Sequence, residues 1–116
     1  MGAFDKFEKK EETIRKTIEI DDILYQRLTE LSQNVYDTSV NKLINASIEE
    51  LIKTEDIQLY EKCNKNFVVK HSLLIRKSLV IGLEELKSKY DISIYKLVNM
   101  AINNAINQLE NKDKSK

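Results

Sequence analysis

The chain has 116 residues, of which 19 are Lys or Arg and 19 are Asp or Glu, so its formal net charge is zero. This length suits one compact domain, and the charge balance excludes a strongly basic coat while leaving room for a local basic face. The single cysteine excludes a disulfide framework or a zinc cluster of thiolates. Without a long apolar run or a signal peptide, we expect a cytoplasmic protein that has no membrane partner.

The first predicted elements follow a flexible arm of mixed charge at residues 1–12. From Arg15 to Ile20 polar and apolar side chains alternate, which is the pattern of a half-buried strand. After Asp21, the expected N-cap, the period becomes helical, because one face then carries Leu24, Leu28 and Leu31. A second helix is expected after Ser39, again at an N-cap position. Residues 13–53 are therefore predicted to form a strand followed by two helices.

The same strand–helix–helix pattern occurs a second time. Four apolar positions recur at one constant offset, where Ile20, Leu24, Leu28 and Leu31 are matched by Ile75, Leu79, Leu83 and Leu86. Matches between Tyr36 and Ile48 recur between Tyr90 and Ile102 at a slightly shorter offset, so the second copy lacks a single loop residue. We therefore predict a connector at residues 54–67, a second unit at residues 68–108 with Ser93 as the N-cap of its last helix, and a flexible tail at residues 109–116.

The first unit contains the segments RKTIEIDDILYQRLTEL and TSVNKLINASI, and the second unit repeats their pattern. In these segments the two units resemble the ribbon-helix-helix (MetJ/Arc-type) family of DNA-binding proteins. The resemblance implies a mainly helical fold in which two strands pair as a short antiparallel ribbon above four interlocked helices. Because both copies lie in one chain, we expect an intramolecular pseudo-dimer, with a strand-exchanged dimer as the alternative. The second strand departs from the family pattern, because Leu74 falls on the face that should be in water.

The resemblance implies that the ribbon enters the major groove of DNA, which is wide enough for two strands. If Ile18 and Ile20 face the core, and the offset of the first four matches holds, the outward positions are Arg15, Thr17, Glu19, Lys70, Ser72 and Leu74. With Thr17 opposite Ser72, Arg15 lies opposite Leu74 and Glu19 lies opposite Lys70. We predict that these six residues contact bases and that the two halves of the site differ. An ion pair between Glu19 and Lys70 is the alternative role for Glu19.

A second kind of contact is expected at the first turn of each second helix, since helix N-termini offer free N–H groups to anions. The resemblance implies that these ends hold the DNA backbone on either side of the ribbon. The predicted phosphate contacts are Ser39, Val40 and Lys42, with Ser93, Ile94 and Lys96 as their counterparts. Capping of the helix alone is the alternative role for the two serines.

Neither an enzyme nor a cofactor is expected, because the chain has no Gly-rich phosphate loop, no metal-spaced Cys/His pair and no nucleophile with an identifiable base. Tandem chains of this kind are similar to the TraY-type accessory proteins of conjugative relaxosomes. The resemblance implies sequence-specific binding of double-stranded DNA, in a plasmid-type relaxosome accessory or a transcriptional autoregulator. Its further partners would be copies of itself on adjacent subsites and a relaxase or another relaxosome protein. The alternatives are a plain repressor or antitoxin-like regulator and, more remotely, a helical interaction module that does not bind DNA.

Overall fold

The computed structural model describes residues 12–58 and 68–114. Residues 1–11 of the predicted arm, residues 59–67 of the predicted connector and residues 115–116 of the predicted tail lie outside the described residues. The elements in chain order are β1 (Thr13–Asp21), α1 (Asp22–Asn34), α2 (Val40–Thr54), β2 (Val68–Arg76), α3 (Lys77–Tyr90) and α4 (Ile94–Lys114). The predicted fold class is confirmed in its coarse form, because this part of the chain is mainly helical and contains one two-stranded antiparallel sheet. No helix in the described ranges is both long and apolar enough to cross a membrane.

The two strands form the ribbon with the predicted register. Thr17 lies opposite Ser72, so Arg15 faces Leu74 and Glu19 faces Lys70 across the pair. Each strand is longer than the alternating stretch that predicted it, because the partner strand continues to supply pairing positions at both ends. The ribbon is therefore assembled within one chain from two strands that have α1, α2 and the connector between them in sequence.

One apolar core lies beneath the ribbon. Its upper layer is the inner face of the two strands, where Ile18, Ile20, Leu73 and Ile75 are at most 4% exposed. All four helices contribute their apolar faces to the same cluster, among them Leu24, Leu28, Ile44, Ile48, Leu83, Leu97 and Ile102. Burying one such side chain contributes about 1.5–3 kcal/mol, so the inner face of the ribbon holds the strands on the helices. The outer face remains available to solvent.

The helix starts were predicted correctly at all three serine or aspartate positions, and two of the three side chains cap their helix. The Asp21 carboxylate accepts a hydrogen bond from the Ile23 N–H at 3.0 Å, and the Ser39 hydroxyl accepts one from the Lys42 N–H at 3.2 Å. Ser93 does precede α4, but its hydroxyl is buried and has no hydrogen-bond partner within the described residues. The predicted side-chain cap at Ser93 is wrong, because the hydroxyl is enclosed instead of accepting from the first turn.

The two second helices end differently. α2 stops at Thr54, after which Glu55 takes a left-handed conformation with φ of 50°. α4 instead continues to Lys114, so the predicted tail is helical over residues 109–114. The reason is that buried Ile106 and half-buried Leu109 prolong the apolar face, and Glu110 forms an ion pair with Arg27 of α1.

Candidate nucleic-acid interface

The outer face of the ribbon carries all six predicted base-contact residues. Each of them is exposed, whereas most of the alternate positions along both strands turn toward the helices. Leu74 is 39% exposed, although an apolar side chain would ordinarily be buried. The structure thus brings together two unlike triplets on one solvent-facing surface, namely Arg15, Thr17 and Glu19 from β1 with Lys70, Ser72 and Leu74 from β2.

At one end of this surface, Arg15 reaches across the ribbon to the other strand. Its Nη1 donates a hydrogen bond of 2.9 Å to the Ser72 hydroxyl, which is the diagonal neighbour of Arg15 in the strand pairing. The guanidinium therefore lies over the middle of the ribbon, while Leu74 occupies the directly opposite position. This end offers a fork of N–H donors beside an exposed apolar side chain.

At the other end, Glu19 and Lys70 lie opposite each other in the strand pairing. Their side chains do not form an ion pair with each other. The ion pairs within 4.0 Å among the described residues are Arg27–Glu110, Arg76–Glu49, Lys77–Glu12 and Lys89–Glu55. Both side chains are exposed. The carboxylate and the ammonium group thus remain available to an external acceptor or donor, which weakens the alternative that Glu19 only stabilises the ribbon.

Two asparagines that sequence reasoning did not single out as functional hold the outer edges of the ribbon. Asn45 of α2 is 8% exposed, and its side chain accepts from the Arg76 N–H at 3.0 Å and donates to the Leu74 carbonyl at 2.9 Å. Asn99 of α4 is 2% exposed. Its side chain accepts from the Asp21 N–H at 2.9 Å and donates to the Glu19 carbonyl at 2.8 Å. Each unit therefore holds the strand of the other unit. The sequence feature that indicates this contact is an asparagine that occurs at the same position in the apolar face of both second helices.

The β2 edge has an additional side-chain contact from the first turn of α2. The Asn41 side chain donates to the Leu74 carbonyl at 2.9 Å and accepts from the Leu74 N–H at 3.0 Å. The counterpart of Asn41 in the second unit is Tyr95, which has no amide. Asn41 lies in the first turn of α2, so this pair of hydrogen bonds fixes the start of α2 beside the ribbon.

The predicted phosphate contacts all lie at the first turns of α2 and α4. Ser39, Lys42 and Lys96 are exposed, whereas Val40, Ser93 and Ile94 are half-buried. Lys42 lines a hollow beside the ribbon together with Thr13, Asn41, Leu74 and Arg76. The start of α2 is thus next to the Arg15 end of the base-facing surface. The side chains able to meet an anion there are Ser39 and Lys42.

Residues 65–77 contain Lys65, Lys70, His71, Arg76 and Lys77 and no acidic residue, and part of this basic stretch is paired with acidic residues of the protein. Arg76 forms an ion pair with Glu49, and Lys77 lies 3.9 Å from Glu12. His71 is half-buried and stacks on Tyr25, with ring centroids 3.7 Å apart. Burial lowers the pKa of His71, and the nearby charge of Asp22 opposes this effect. His71 therefore attaches the ribbon flank to α1, and within this stretch Lys70 is the described cation that faces outward from the ribbon.

Comparison of the chain with protein-family models, with curated proteins and with solved structures found no match in any of the three. Among the residues that the structure describes, no three His, Cys, Asp or Glu side chains lie close enough together to hold a metal ion. The chemical interpretation of this surface therefore rests on its geometry and on the residues themselves.

Proposed function

We propose that this chain is a tandem ribbon-helix-helix protein that binds double-stranded DNA by inserting its ribbon into the major groove. The observation that carries the proposal is the division of the ribbon into two faces. One face is buried against four helices, and the other presents six exposed side chains to solvent. The major groove, about 12 Å wide, accommodates a two-stranded ribbon whose outward side chains reach base edges.

Each outward side chain has a chemical role in this proposal. Arg15 and Lys70 donate to guanine, Glu19 accepts from the amino group of cytosine, and Leu74 contacts the methyl group of thymine. Thr17 and Ser72, at the centre, tolerate several bases. Since Arg15 and Leu74 lie at one end and Glu19 and Lys70 lie at the other, the recognised site has unlike halves.

The first turns of α2 and α4 bind the DNA backbone on either side of the ribbon. Their free N–H groups and positive dipole ends favour phosphate, and Lys42 and Lys96 add charge. Contacts of this kind fix the position of the protein without specifying sequence. Asn41 holds the first turn of α2 next to β2, so this turn has a fixed position beside the ribbon.

The reciprocal contacts of Asn45 and Asn99 support pairing of the two units, and we expect the pairing within one chain because both units lie in it. Each asparagine belongs to one unit and bonds to the strand of the other, so neither strand is held without both units. A monomeric mass at micromolar concentration is the expected result. A strand-exchanged dimer would have twice that mass, and it would overturn the assignment in cis without affecting the DNA-binding surface.

The biological role depends on where the site lies. At a transfer origin the protein is a plasmid-type relaxosome accessory, which works beside a relaxase, and at its own promoter it is a transcriptional autoregulator. A plain repressor or an antitoxin-like regulator has the same surface and a different target. Several copies on adjacent subsites would raise affinity, because one ribbon covers few base pairs.

The test is selection of bound sites from a random duplex pool, followed by affinity measurements at two salt concentrations. We expect an enriched motif with unlike halves, bound less tightly at the higher salt concentration because phosphate contacts release counterions. Arg15→Ala should weaken binding to the selected motif by about 1–3 kcal/mol, or roughly 5- to 150-fold. Lys53→Ala, which removes an equal charge from the exposed end of α2, is the matched control.

Failure of the selection would be decisive. If no motif is enriched and binding to duplex DNA does not respond to salt, the DNA-binding proposal is wrong and a helical interaction module remains. If Arg15→Ala and Lys53→Ala weaken binding equally, the ribbon face is not the surface that recognises bases. A perfectly symmetric motif would contradict the unlike halves.

A further inference from the structure

The hydrogen bond between Arg15 and Ser72 makes the two ends of the ribbon unequal. Arg15 Nη1 donates to the Ser72 hydroxyl at 2.9 Å, across the two strands. In the antiparallel register Arg15 lies opposite Leu74, so Ser72 is its diagonal neighbour on the side of the ribbon centre. The bond therefore turns the guanidinium toward the centre of the ribbon and away from the end formed by Thr13 and Arg76.

Arg15 differs from the other two arginines of the chain in the kind of group that holds it. Arg27 and Arg76 each form an ion pair with a glutamate. In the part of the chain that the structure describes, Arg15 is bonded to a neutral hydroxyl and to no carboxylate. A carboxylate would neutralise the guanidinium and occupy two of its donors, whereas a hydroxyl accepts from only one. The contact with Ser72 thus fixes the guanidinium and leaves its charge and its other donors for an external ligand.

Ser72 is a rigid support for this contact. Its hydroxyl is placed by a single side-chain torsion, which has few staggered positions. The strand is held on both sides of it, because Leu73 is 3% exposed in the core and the His71 ring stacks on Tyr25 at 3.7 Å. The acceptor that Ser72 offers to Arg15 therefore has a defined position before any ligand arrives.

The equivalent pair in the repeat does not form the equivalent bond. The offset of the repeat matches Arg15 with Lys70 and Thr17 with Ser72, and Thr17 is the diagonal neighbour of Lys70. Among residues 12–58 and 68–114, the Lys70 ammonium group forms no hydrogen bond with Thr17. A lysine carries a hydrated point charge on a flexible stem, whereas an arginine carries a planar fork of donors. Of two equivalent cations on this face, one is fixed by its neighbour and the other is held only by its own stem.

A fixed guanidinium has a particular partner among the bases. Guanine presents O6 and N7, two acceptors side by side, in the major groove, and the other bases do not present such a pair there. Fixing the side chain in advance removes conformational freedom that would otherwise be lost on binding. The Lys70 ammonium group can follow a single acceptor to several positions, so it discriminates less between bases.

We propose that Ser72 is a positioning residue for Arg15, so that the Arg15 half of the DNA site is read strictly as guanine and the Lys70 half is read loosely. The inference rests on the proposed function, since it concerns the same outer face of the ribbon. Ser72 acts on guanine through Arg15, while its own contact with bases stays tolerant. Specificity is therefore concentrated in one half of the site.

Binding to single-base variants of the selected duplex tests the role of Ser72. Arg15→Ala identifies the base pair at which guanine is preferred. Ser72→Ala should lower the preference for guanine at that base pair by about 3- to 10-fold, which is the gain expected from fixing one long side chain. Ser72→Thr, which keeps a hydroxyl, should restore the preference. In the Arg15→Ala background, Ser72→Ala should not change it further. Ser88→Ala, which removes an exposed hydroxyl from α3, is the control.

A purely structural role for Ser72 would give a different result. Ser72→Ala would then weaken binding to every duplex by the same factor and leave the preference for guanine unchanged, which would overturn the proposal. An equal effect of Ser72→Ala with and without Arg15 would overturn it as well. Lys70→Ala identifies the base pair read by Lys70, and substitution of that base pair should cost less affinity than substitution of the guanine. Equal costs would contradict the uneven reading of the two halves.

A measurement without DNA separates this inference from the proposed function. In the free protein, the heteronuclear NOE of the Arg15 Nε–H group should indicate a restricted side chain, and it should fall in Ser72→Ala. The Nε–H group of Arg27, which pairs with Glu110, should not change. If Arg15 is equally mobile in both proteins, Ser72 does not position it and the inference is wrong even if a DNA motif is selected. If Arg15 is restricted by Ser72 and no motif is enriched, the contact is correct and the DNA-binding proposal, with the reading of guanine that rests on it, is wrong.

Discussion

Asn45 and Asn99, which occupy equivalent positions of α2 and α4, make the same three hydrogen bonds in opposite halves of the molecule. Each side chain donates to the carbonyl four residues earlier in its own helix and bonds to an N–H and a carbonyl of the strand from the other unit. The bonded strand positions, Leu74 and Arg76 against Glu19 and Asp21, are also equivalent in the repeat. The ribbon is therefore held by a nearly symmetric exchange of contacts.

The two asparagines should nevertheless differ in their contribution to stability. Asn99→Ala leaves a buried strand N–H and a carbonyl without these partners, which should cost about 2–4 kcal/mol. Asn45→Ala should cost less, because Asn41 still donates to the Leu74 carbonyl. Urea unfolding measures both, with exposed Asn107→Ala as the control. Equal losses for the two variants, or no greater loss in Asn41→Ala/Asn45→Ala than in Asn45→Ala, would contradict this account.

The first turn of α2 provides a test of backbone anchoring. Lys42→Ala should weaken binding to the selected motif and to unrelated duplexes by similar factors, and it should reduce the slope of log affinity against log salt by about 1. Affinities measured at several salt concentrations for both duplexes check this. Lys53→Ala, on the same helix but away from the ribbon, should leave the slope unchanged. A loss confined to the selected motif would place Lys42 among the base contacts.

Gly82 is tightly enclosed by Ile52. A Cβ at position 82 would lie 2.5 Å from Ile52 Cδ1 and 3.1 Å from its Cγ1. Alanine normally stabilises a helix interior by about 1 kcal/mol relative to glycine. We expect Gly82→Ala to lose this gain and to destabilise the protein by about 1 kcal/mol, because the packed isoleucine must move. In an Ile52→Ala background the same change should be stabilising. A double-mutant cycle by urea unfolding measures the coupling, and additive effects would show that the contact is harmless.

His71 makes stability depend on pH near neutrality. Because burial lowers its pKa below the ordinary value of 6.5, the folded protein favours the neutral ring. Its contribution is therefore present above the pKa of the unfolded chain and is lost as the pH falls through that value toward the folded pKa. The urea midpoint should fall between about pH 7.5 and about pH 5.5, and His71→Phe, which keeps a ring against Tyr25, should reduce that fall. The same fall in both proteins would assign the titration to another group.

The register of the ribbon was predictable because two constraints coincided. Alternation assigns each strand residue to a face, and the repeat fixes which residues are equivalent, so pairing Thr17 with Ser72 left little freedom. The exposed Leu74 also followed from alternation, although it contradicts the usual preference of leucine. For these reasons the base-facing positions were located from the sequence, while their contact with DNA stays a prediction.

Features that depend on long-range contacts were not predictable. The sequence NKDKSK is polar and suggested a tail, yet Glu110 just before it pairs with Arg27 of α1, far away in sequence, and α4 continues as a helix. Ser93 has the expected residue type for a cap, but its hydroxyl is buried and has no hydrogen-bond partner among the described residues. The role of Asn45 and Asn99 likewise requires knowing which backbone groups the other unit leaves unpaired.

If β1 and β2 pair within one polypeptide, formation of the ribbon does not depend on the concentration of the protein. A ribbon built from two separate chains falls apart when its subunits are rare, because assembly is then a bimolecular step whose extent depends on how many copies are present. In the intramolecular pseudo-dimer that we propose, the tether between the strands gives each one a partner at an effective concentration of the order of millimolar. A cell that holds only a few molecules of such a pseudo-dimer would still hold them folded, each with a complete ribbon.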